Sequence, residues 1–587
     1  MHNKKIISFL IIPTTILLLG ILGITLGMPV FYVIGTVIGI ITIVIDSFKE
    51  IKAGRYSLDY IALLAMIVGI IAHQYAAGAI VALMFTGGKA LEAFASGRAE
   101  SSLKSLLDRI PKNVQVKQPD GTFLATLLTD AKQDDVIMVR VNELVPLDGI
   151  LISQTGLFNQ ANLTGEPLPV TLVKDQPLKS GIVNVGETIE LRVTGTFETS
   201  TYARIVELVK TAKQHEAPLV RVASEANGYF TVITLIISGA AFLITHDPVR
   251  LLAVLVLATP CPLIIAAPVA FIGGMSRAAS NNIIIKKPGV LETIARSQTV
   301  FFDKTGTLTI GTPTLSSVEI SNTSIDETRA LAIANSIEFH SIHPLARAFV
   351  SSAQEKKISL LSATQVKETV GQGISGTVEG VAYTIAQAEK HYESGIALSL
   401  SNEQGTLATF VFTDILKPDA MQVMRDMVLH GVHIEVITGD TFENAKRIFG
   451  SLPITIHANC SPEEKYEIID KAKEHKIVVM VGDGLNDAPA LARAHAGIVF
   501  SGTENSAAID AADAVILGSD IKKVSELFDI SKRSLAIAKE SIWTGIGLSI
   551  IGMVFAAFGF IIPVIGAFIQ EGIDVSVILN SLRTLGE

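Results

Sequence analysis

Asp303 ends an apolar run, Val300-Phe301-Phe302, and is followed at once by Lys304, Thr305, Gly306 and Thr307. A carboxylate delivered at the end of a buried strand, with a cation, two hydroxyls and a permissive turn around it, is equipped to attack phosphorus and become an acyl phosphate. Two other apolar runs close on polar turns. Ile437-Thr438-Gly439-Asp440 offers a hydroxyl and a backbone N–H to phosphoryl oxygens. Val481-Gly482-Asp483-Gly484-Leu485-Asn486-Asp487 brings Asp483 and Asp487, hard oxygen donors suited to Mg²⁺ beside a phosphate. Lys465, after Ser461-Pro462-Glu463-Glu464, supplies a cation that can neutralise a group in transfer. Each turn alone reads equally well as a loop or helix cap. On successive strands of one α/β domain they make a phosphotransfer site.

The elements that must position these residues are of two kinds. The 587 residues are 49% hydrophobic and only 18% charged, more apolar than a soluble enzyme and too long for one core. A net charge of −9 argues against nucleic acid as a partner. Two cysteines, Cys261 and Cys460, make neither a disulfide framework nor a paired metal motif. Eight apolar runs, at about 6–26, 30–45, 58–72, 76–94, 229–245, 251–273, 542–558 and 560–579, are long enough or nearly so to cross roughly 30 Å of hydrocarbon. Lys4, Lys5, Lys49, Lys52 and Arg55 place their side of the membrane in the cytoplasm. Gly87-Gly88 is expected either to bend the fourth run or to sit at a helix–helix contact. The segment 98–223 alternates in short β patterns. The stretch 280–532 reads as a doubly wound α/β domain whose first strand is parted from the rest by an insertion at about 314–411.

Two of the apolar runs carry chemistry of their own. Ala258-Thr259-Pro260-Cys261-Pro262-Leu263 lies inside the sixth, where two prolines remove backbone donors and force local unwinding. Cys261 then offers a thiolate at the break, the alternative being a buried structural cysteine. In the last run Gln570, Glu571 and Asp574 fall three and four residues apart, on one helical face. A carboxylate at mid-bilayer costs about 2.5–3.5 kcal/mol, which a bound cation would offset; otherwise the pair sits at the interfacial end of the span.

With these residues in view, the chain resembles the P-type ATPases, whose phosphorylation domain is of the haloacid-dehalogenase kind. Asp303-Lys304-Thr305-Gly306-Thr307 matches the family's phosphorylation motif, and the Thr438-Gly439-Asp440 and Gly482–Asp487 turns match its two companions. Leu163-Thr164-Gly165-Glu166 matches the actuator motif. The resemblance implies Asp303, Thr305, Lys465, Thr438 and Asp440 as catalytic, and Glu166, with Thr164 and Gly165, as positioning the water that releases phosphate. It implies Mg²⁺ on Asp303, Thr305, Asp483 and Asp487. The heavy-metal branch is indicated by the two extra N-terminal spans, by His343-Pro344 with Glu338 upstream, and by Gly371-x-Gly373-x-x-Gly376. ATP is then expected at Glu338, His343, Gly371 and Gly373. Ile342 departs from the glutamate usual before His-Pro.

The implied fold is a multidomain α-helical membrane protein of eight transmembrane helices, with a cytoplasmic β-rich actuator domain, an α/β haloacid-dehalogenase-like phosphorylation domain and an inserted α+β nucleotide-binding domain. Its expected parts are helices 1–4 at 1–97, the actuator at 98–223, helices 5–6 at 224–279, the phosphorylation domain at 280–313 and 412–530, the nucleotide-binding domain at 314–411, and helices 7–8 at 531–587. The implied function is ATP-driven export of a divalent transition metal through an aspartyl phosphate. Mg-ATP is the cofactor, the lipid bilayer, ATP and the metal are the partners, and the setting is a bacterial cytoplasmic membrane, as monomer or homodimer. Cys261, Thr259, Gln570, Glu571 and Asp574 are the expected ligands of the transported metal. Thr259 stands where copper transporters have cysteine, and Ser549 where the zinc/cadmium/lead members have lysine. The set resembles a subgroup associated with Ni²⁺ and Fe²⁺, with Zn²⁺, Cd²⁺ and Co²⁺ remaining open. The alternatives are a copper transporter, a membrane-tethered phosphatase of the same fold, and a K⁺ pump subunit, which leaves Cys261 unexplained.

Overall fold

The computed structural model describes residues 2–52, 60–99, 113–159, 169–197, 200, 219–258, 261–322, 325–341, 343–369, 373–388, 396–501 and 506–586. They form two compact units, one built from the chain up to Arg296 and again from Glu526, the other from Ser297–Ser525.

In the first unit the apolar runs form helices: His2–Leu26, Val30–Lys52, Tyr60–Ile71, Tyr75–Ala99, Leu219–Thr245, Lys522–Ala557 and Pro563–Ser581. The run expected as the sixth span is two helices, Pro248–Leu257 and Cys261–Ser280. The first starts on an Asp247 cap, whose side chain accepts from the Val249 N–H. It stops where the proline pair begins, as a backbone deprived of its donors must. Thr259 and Pro260 lie outside the described residues.

By length and composition, Val30–Phe48, Lys522–Ala557 and Pro563–Leu585 are able to cross a membrane, while Ile11–Leu26, Ile61–Ile71, Tyr75–Gly88, Tyr229–Thr245 and Pro248–Leu257 are shorter apolar helices. Among the described residues three helices are thus long and apolar enough to cross a membrane, of the eight spans expected. Outward apolar side chains such as Ile24, Ile244 and Phe560 are more than 70% exposed, as on helices whose solvent is lipid. Small residues let the helices close on one another. A Cβ on Gly39 would come within 2.4 Å of the Ala82 Cβ, and one on Gly78 within 3.1 Å of Thr36 Oγ1. The helix Tyr75–Ala99 runs through Gly87 and Gly88, and a Cβ there meets nothing within 4 Å among the described residues.

The same unit contains a β-rich part. Six strands pair in the order Phe123–Leu127, Asn113–Lys117, Val136–Val139, Ile189–Val193, Gly149–Leu151, Pro177–Leu178. A second sheet of three has Thr155–Asn159 between Val170–Val173 and Val183–Asn184. Thr155–Asn159 runs antiparallel to Val170–Val173, Phe158 facing Val170. The Thr164-Gly165-Glu166 motif lies on the connection between them, outside the described residues.

The second unit is organised on parallel strands in the order Ala514–Ile516, Ala496–Phe500, Val478–Gly482, Thr299–Asp303, His433–Ile437, Thr455–His457. Thr299–Asp303 is central and pairs in parallel with Val478–Gly482 on one side and His433–Ile437 on the other. Strands covered on both faces read as continuous apolar runs, and Val300, Phe301, Phe302 and Val478–Val481 are all fully buried. The insertion is a six-stranded antiparallel sheet, Thr309–Ile320, Gly405–Leu416, Ile396–Asn402, Val381–Gln387, Gly373–Val378, Ala363–Thr369 in spatial order. Helices Glu327–Glu338 and Pro344–Glu355 pack on it. Phe349 lies at the centre of their core, edge-on to Phe410 at 4.8 Å and Phe412 at 5.0 Å. Its first and last strands run as far as 309 and 416, so the expected boundaries near 314 and 411 fall inside them.

Candidate phosphorylation site

Three turns meet at the carboxyl ends of adjacent parallel strands, where open α/β sheets hold their ligands. Asp303 is 5% exposed. The helix Pro462–Lys473 supplies its cation. That helix is started by a capping box, the Ser461 side chain taking the Glu464 N–H and Glu464 reaching back to the Ser461 N–H, with Pro462 in the first turn. Lys465, one residue on, is thereby fixed in direction. Its Nζ lies 2.5 Å from Asp303 Oδ1 and 2.9 Å from Asp487 Oδ1.

Asp303, Asp483 and Asp487 each bring a carboxylate oxygen within 4.8 Å of the others. Burial, then the neighbouring Asp487, pushes Asp303 up to about 7, and the same two causes raise Asp483 to about 6. Burial opposes the Lys465 charge, but Asp303 and Asp487 outweigh it and hold the ammonium up at about 12. The pocket therefore carries an excess of negative charge around a fixed cation, which a divalent ion with oxygen preference would relieve. Two observations favour such an occupant. Gly306 has φ +75°, and a Cβ there would fall 1.7 Å from Asp483 Oδ2, so the turn wraps the carboxylate at a distance only glycine permits. Thr307 Oγ1 is buried with no hydrogen-bond partner among the described residues, an acceptor and donor left for a phosphoryl oxygen. Thr305, expected among the Mg²⁺ ligands, has an exposed side chain in the same turn.

The Thr438-Gly439-Asp440 turn is held by contacts of its own. Asp440 Oδ2 takes the Lys304 ammonium at 2.5 Å, and Thr438 Oγ1 accepts the Asp440 N–H at 3.1 Å. Lys304, buried at 3%, also lies 3.5 Å from Asp414, whose other contact is the Thr309 hydroxyl at 2.7 Å. Lys304 thus ties the turn after Asp303 to the next strand's turn and to the strand returning from the insertion. Sequence reasoning missed Lys304 and Asp414 in this role, because their pairing spans over a hundred residues. It also missed Lys417. This lysine is buried, stacks 4.1 Å over the Phe500 ring, and is lowered to about 8 by burial, with Asp483 and Asp520 opposing.

In the insertion, Glu338 ends the helix Glu327–Glu338 and His343 caps the helix Pro344–Glu355. His343 Nδ1 accepts the Leu345 N–H at 3.2 Å, which fixes the proton on Nε2 of the neutral ring and makes that atom an outward donor. Gly373 opens its strand at φ +107°, where a Cβ would lie 2.1 Å from the Ile385 carbonyl. The following residues form strands Gly373–Val378 and Val381–Gln387, as expected, rather than a crossover helix. Gly371 lies outside the described residues.

Burial, then Glu368, raises the Glu338 carboxyl to about 7. A carboxyl raised by folding contributes stability in full below its unfolded pKa, near 4.5, and loses it as pH rises through the folded value. Glu338→Gln should therefore leave stability nearly unchanged at pH 4.5 and increase it by up to about 3 kcal/mol at pH 8. Hydrogen exchange of the strand containing Phe410, measured at both pH values, checks this.

The expected transport residues divide. Cys261 begins the helix that follows the break, and Thr259 lies outside the described residues. Gln570 and Asp574 are buried and hydrogen-bonded to each other at 2.8 Å, while Glu571, one position round the helix, is only half-buried.

Comparisons with known proteins match this anatomy. The family model for haloacid dehalogenase-like hydrolases covers residues 298–495, and that for the P-type ATPase actuator domain covers 108–210, the stretch containing Glu166. A probable cadmium-transporting ATPase of Staphylococcus aureus is 30% identical over 588 aligned positions, 93% of this chain and 73% of the relative. The chain belongs to the heavy-metal P-type ATPases. Within that family, a zinc/cadmium/lead-transporting P-type ATPase of Shigella sonnei is 29% identical over 94% of this chain and 78% of its own. The crystal structure of a zinc-transporting PIB-type ATPase in its E2.Pi state superposes with a TM-score of 0.68 at 27% identity, over the full length of both chains. A heavy-metal P-type ATPase is an integral membrane enzyme, and Asp303 lies within the stretch that the haloacid dehalogenase-like family model covers.

Proposed function

We propose that this ATPase exports a divalent transition-metal cation of the Zn/Cd/Co/Ni/Fe class from the cytosol, as one chain of eight spans in a bacterial cytoplasmic membrane. The observation that carries the reading is the apolar helix that ends at Leu257 and resumes at Cys261. Non-helical backbone at that depth is tolerated where it lines a site, and Cys261 with Asp574 gives a mixed sulfur and oxygen donor set that suits borderline divalent metals better than Cu⁺. Relatives named for cadmium and zinc support the same class.

The chemistry follows from the residues. ATP is held by the insertion, with Glu338, the His343 Nε2–H and the backbone at Gly371 and Gly373 at its site. Asp303, Asp483 and Asp487, with Thr305, would hold Mg²⁺, which supplies positive charge to the phosphoryl oxygens. The Asp303 oxygen not bound by Lys465 attacks the γ-phosphorus, and the bond to ADP breaks as the acyl phosphate forms. Lys465 offsets charge on the transferring group, and Thr438 and the Thr307 hydroxyl are placed to bind its oxygens. Release reverses the polarity: Glu166, with Thr164 and Gly165, orients a water that forms a new bond to phosphorus, and Asp303 leaves as carboxylate. ATPase activity titrated against Ni²⁺, Fe²⁺, Zn²⁺, Cd²⁺, Co²⁺ and Cu⁺ tests the reading. Stimulation by one or more of the divalent ions, lost in Cys261→Ala, is the expected result. Hydrolysis indifferent to every metal would make the protein a phosphatase, and stimulation by Cu⁺ alone would move it to the copper carriers.

A further inference from the structure

The helices Lys522–Ala557 and Pro563–Ser581 enclose a polar chain. Ser549 is 1% exposed, Gln570 0% and Asp574 7%. Gln570 Nε2 donates to Asp574 Oδ1 at 2.8 Å, and Ser549 Oγ lies 3.2 Å from Gln570 Oε1. The direction of each bond is dictated by chemistry. A carboxylate only accepts, so the amide must turn its NH₂ to Asp574; its oxygen then faces Ser549 and can only accept, so the serine hydroxyl donates. Elsewhere along the same two helices, Asn580 Nδ2 donates to Ser541 Oγ at 2.9 Å and Ser581 Oγ lies 3.1 Å from the same atom.

Gln570 was expected to bind the transported metal, which it can do only through its amide oxygen. That oxygen is turned to Ser549. We propose that Gln570 is a positioning residue rather than a ligand, and that Ser549, acting through it, orients the Asp574 carboxylate and sets which divalent metal the site accepts. The inference rests on Asp574 belonging to the transport site as proposed above. A ligand carboxylate fixed by an outer hydrogen bond keeps one orientation and one basicity, and such partners typically change metal affinity by about 10–100-fold when lost. Fixed ligand geometry also discriminates between ions that differ in preferred coordination.

The test uses the purified full-length chain in detergent, with two readouts: direct metal binding by equilibrium dialysis, and the half-saturating metal concentration and kcat of metal-stimulated ATP hydrolysis. Ser549→Ala should raise the half-saturating concentration by about tenfold while kcat moves less than twofold, and should flatten the preference among Zn²⁺, Cd²⁺, Co²⁺, Ni²⁺ and Fe²⁺. Ser549→Thr, which keeps the donor, should restore both. Gln570→Glu separates the two roles: a carboxylate is the better metal ligand but cannot donate to Asp574, so it weakens binding if Gln570 positions and leaves it equal or tighter if Gln570 coordinates. Equal or tighter binding in Gln570→Glu, or a Ser549→Ala protein with unchanged affinity and preference, overturns the proposal. Asp574→Ala distinguishes the failures: undiminished metal binding in that variant overturns the transport-site reading itself, whereas its loss leaves that reading standing whatever Ser549 does.

Discussion

Asp303→Asn is expected to form no phosphoenzyme: incubated with labelled ATP, Mg²⁺ and the activating metal, it should retain no hydroxylamine-labile phosphate. Its metal-stimulated hydrolysis should fall on the order of 10⁴-fold or more, as removal of a covalent nucleophile does elsewhere. The substitution is nearly isosteric, and Lys465 keeps its second partner, Asp487, at 2.9 Å, so the pocket is not left with an unpaired cation. It also removes one of three clustered carboxylates, and the fold should not suffer. Unchanged thermal stability with lost phosphorylation would assign the effect to chemistry. A variant that still hydrolysed ATP in response to metal would remove Asp303 from the mechanism and the acyl-phosphate scheme with it.

The phosphorylation site was the most legible part of the sequence because its parts are local. Each turn follows its own strand within a few residues, and parallel pairing of Thr299–Asp303 with His433–Ile437 and Val478–Gly482 then brings the strand ends together without further information. The break at Ala258 was legible for a similar reason, since proline acts on its own turn of helix. What the sequence withheld depends on tertiary contact. Lys304 reads as a generic cation beside the nucleophile, yet Asp440 and Asp414 turn it into the tie between three segments. Ser549 differs from its neighbours by a hydroxyl whose meaning appears only opposite Gln570. The insertion's expected limits near 314 and 411 fall within Thr309–Ile320 and Gly405–Leu416, two strands that pair with each other at the junction.

Those contacts also separate rigid parts of the site from adjustable ones. Asp303, Lys465 and Asp487 are each at most 10% exposed at the side chain, whereas the Asp440 side chain is 39% exposed while holding the buried Lys304. A half-solvated partner can exchange its lysine for water at modest cost, and a buried one cannot. Lys304 thus has one half-solvated partner and a second, Asp414, 3.5 Å away, whereas both partners of Lys465 are buried.

Lys465→Met follows from that division. Methionine matches the aliphatic stem and removes the charge, leaving Asp303 and Asp487 buried against each other. Loss of one partner from a buried ion pair costs about 3–5 kcal/mol, and loss of a preorganised charge on the transferring group costs about 10²–10³-fold in rate. The variant should thus unfold at lower denaturant and form phosphoenzyme at least about a hundredfold more slowly at saturating ATP. The two effects can be told apart with Asp487→Asn. Adding it to Lys465→Met removes a carboxylate that the lysine no longer neutralises, so the double variant should recover part of the stability. The two changes should be non-additive by about 0.5–3 kcal/mol, while phosphorylation stays slow, since the cation on the transferring group and one of the carboxylates for Mg²⁺ are both missing. Additive stabilities would mean that Lys465 and Asp487 do not interact in the folded protein, contrary to their 2.9 Å contact. Phosphorylation restored along with stability would mean that Lys465 serves the fold alone.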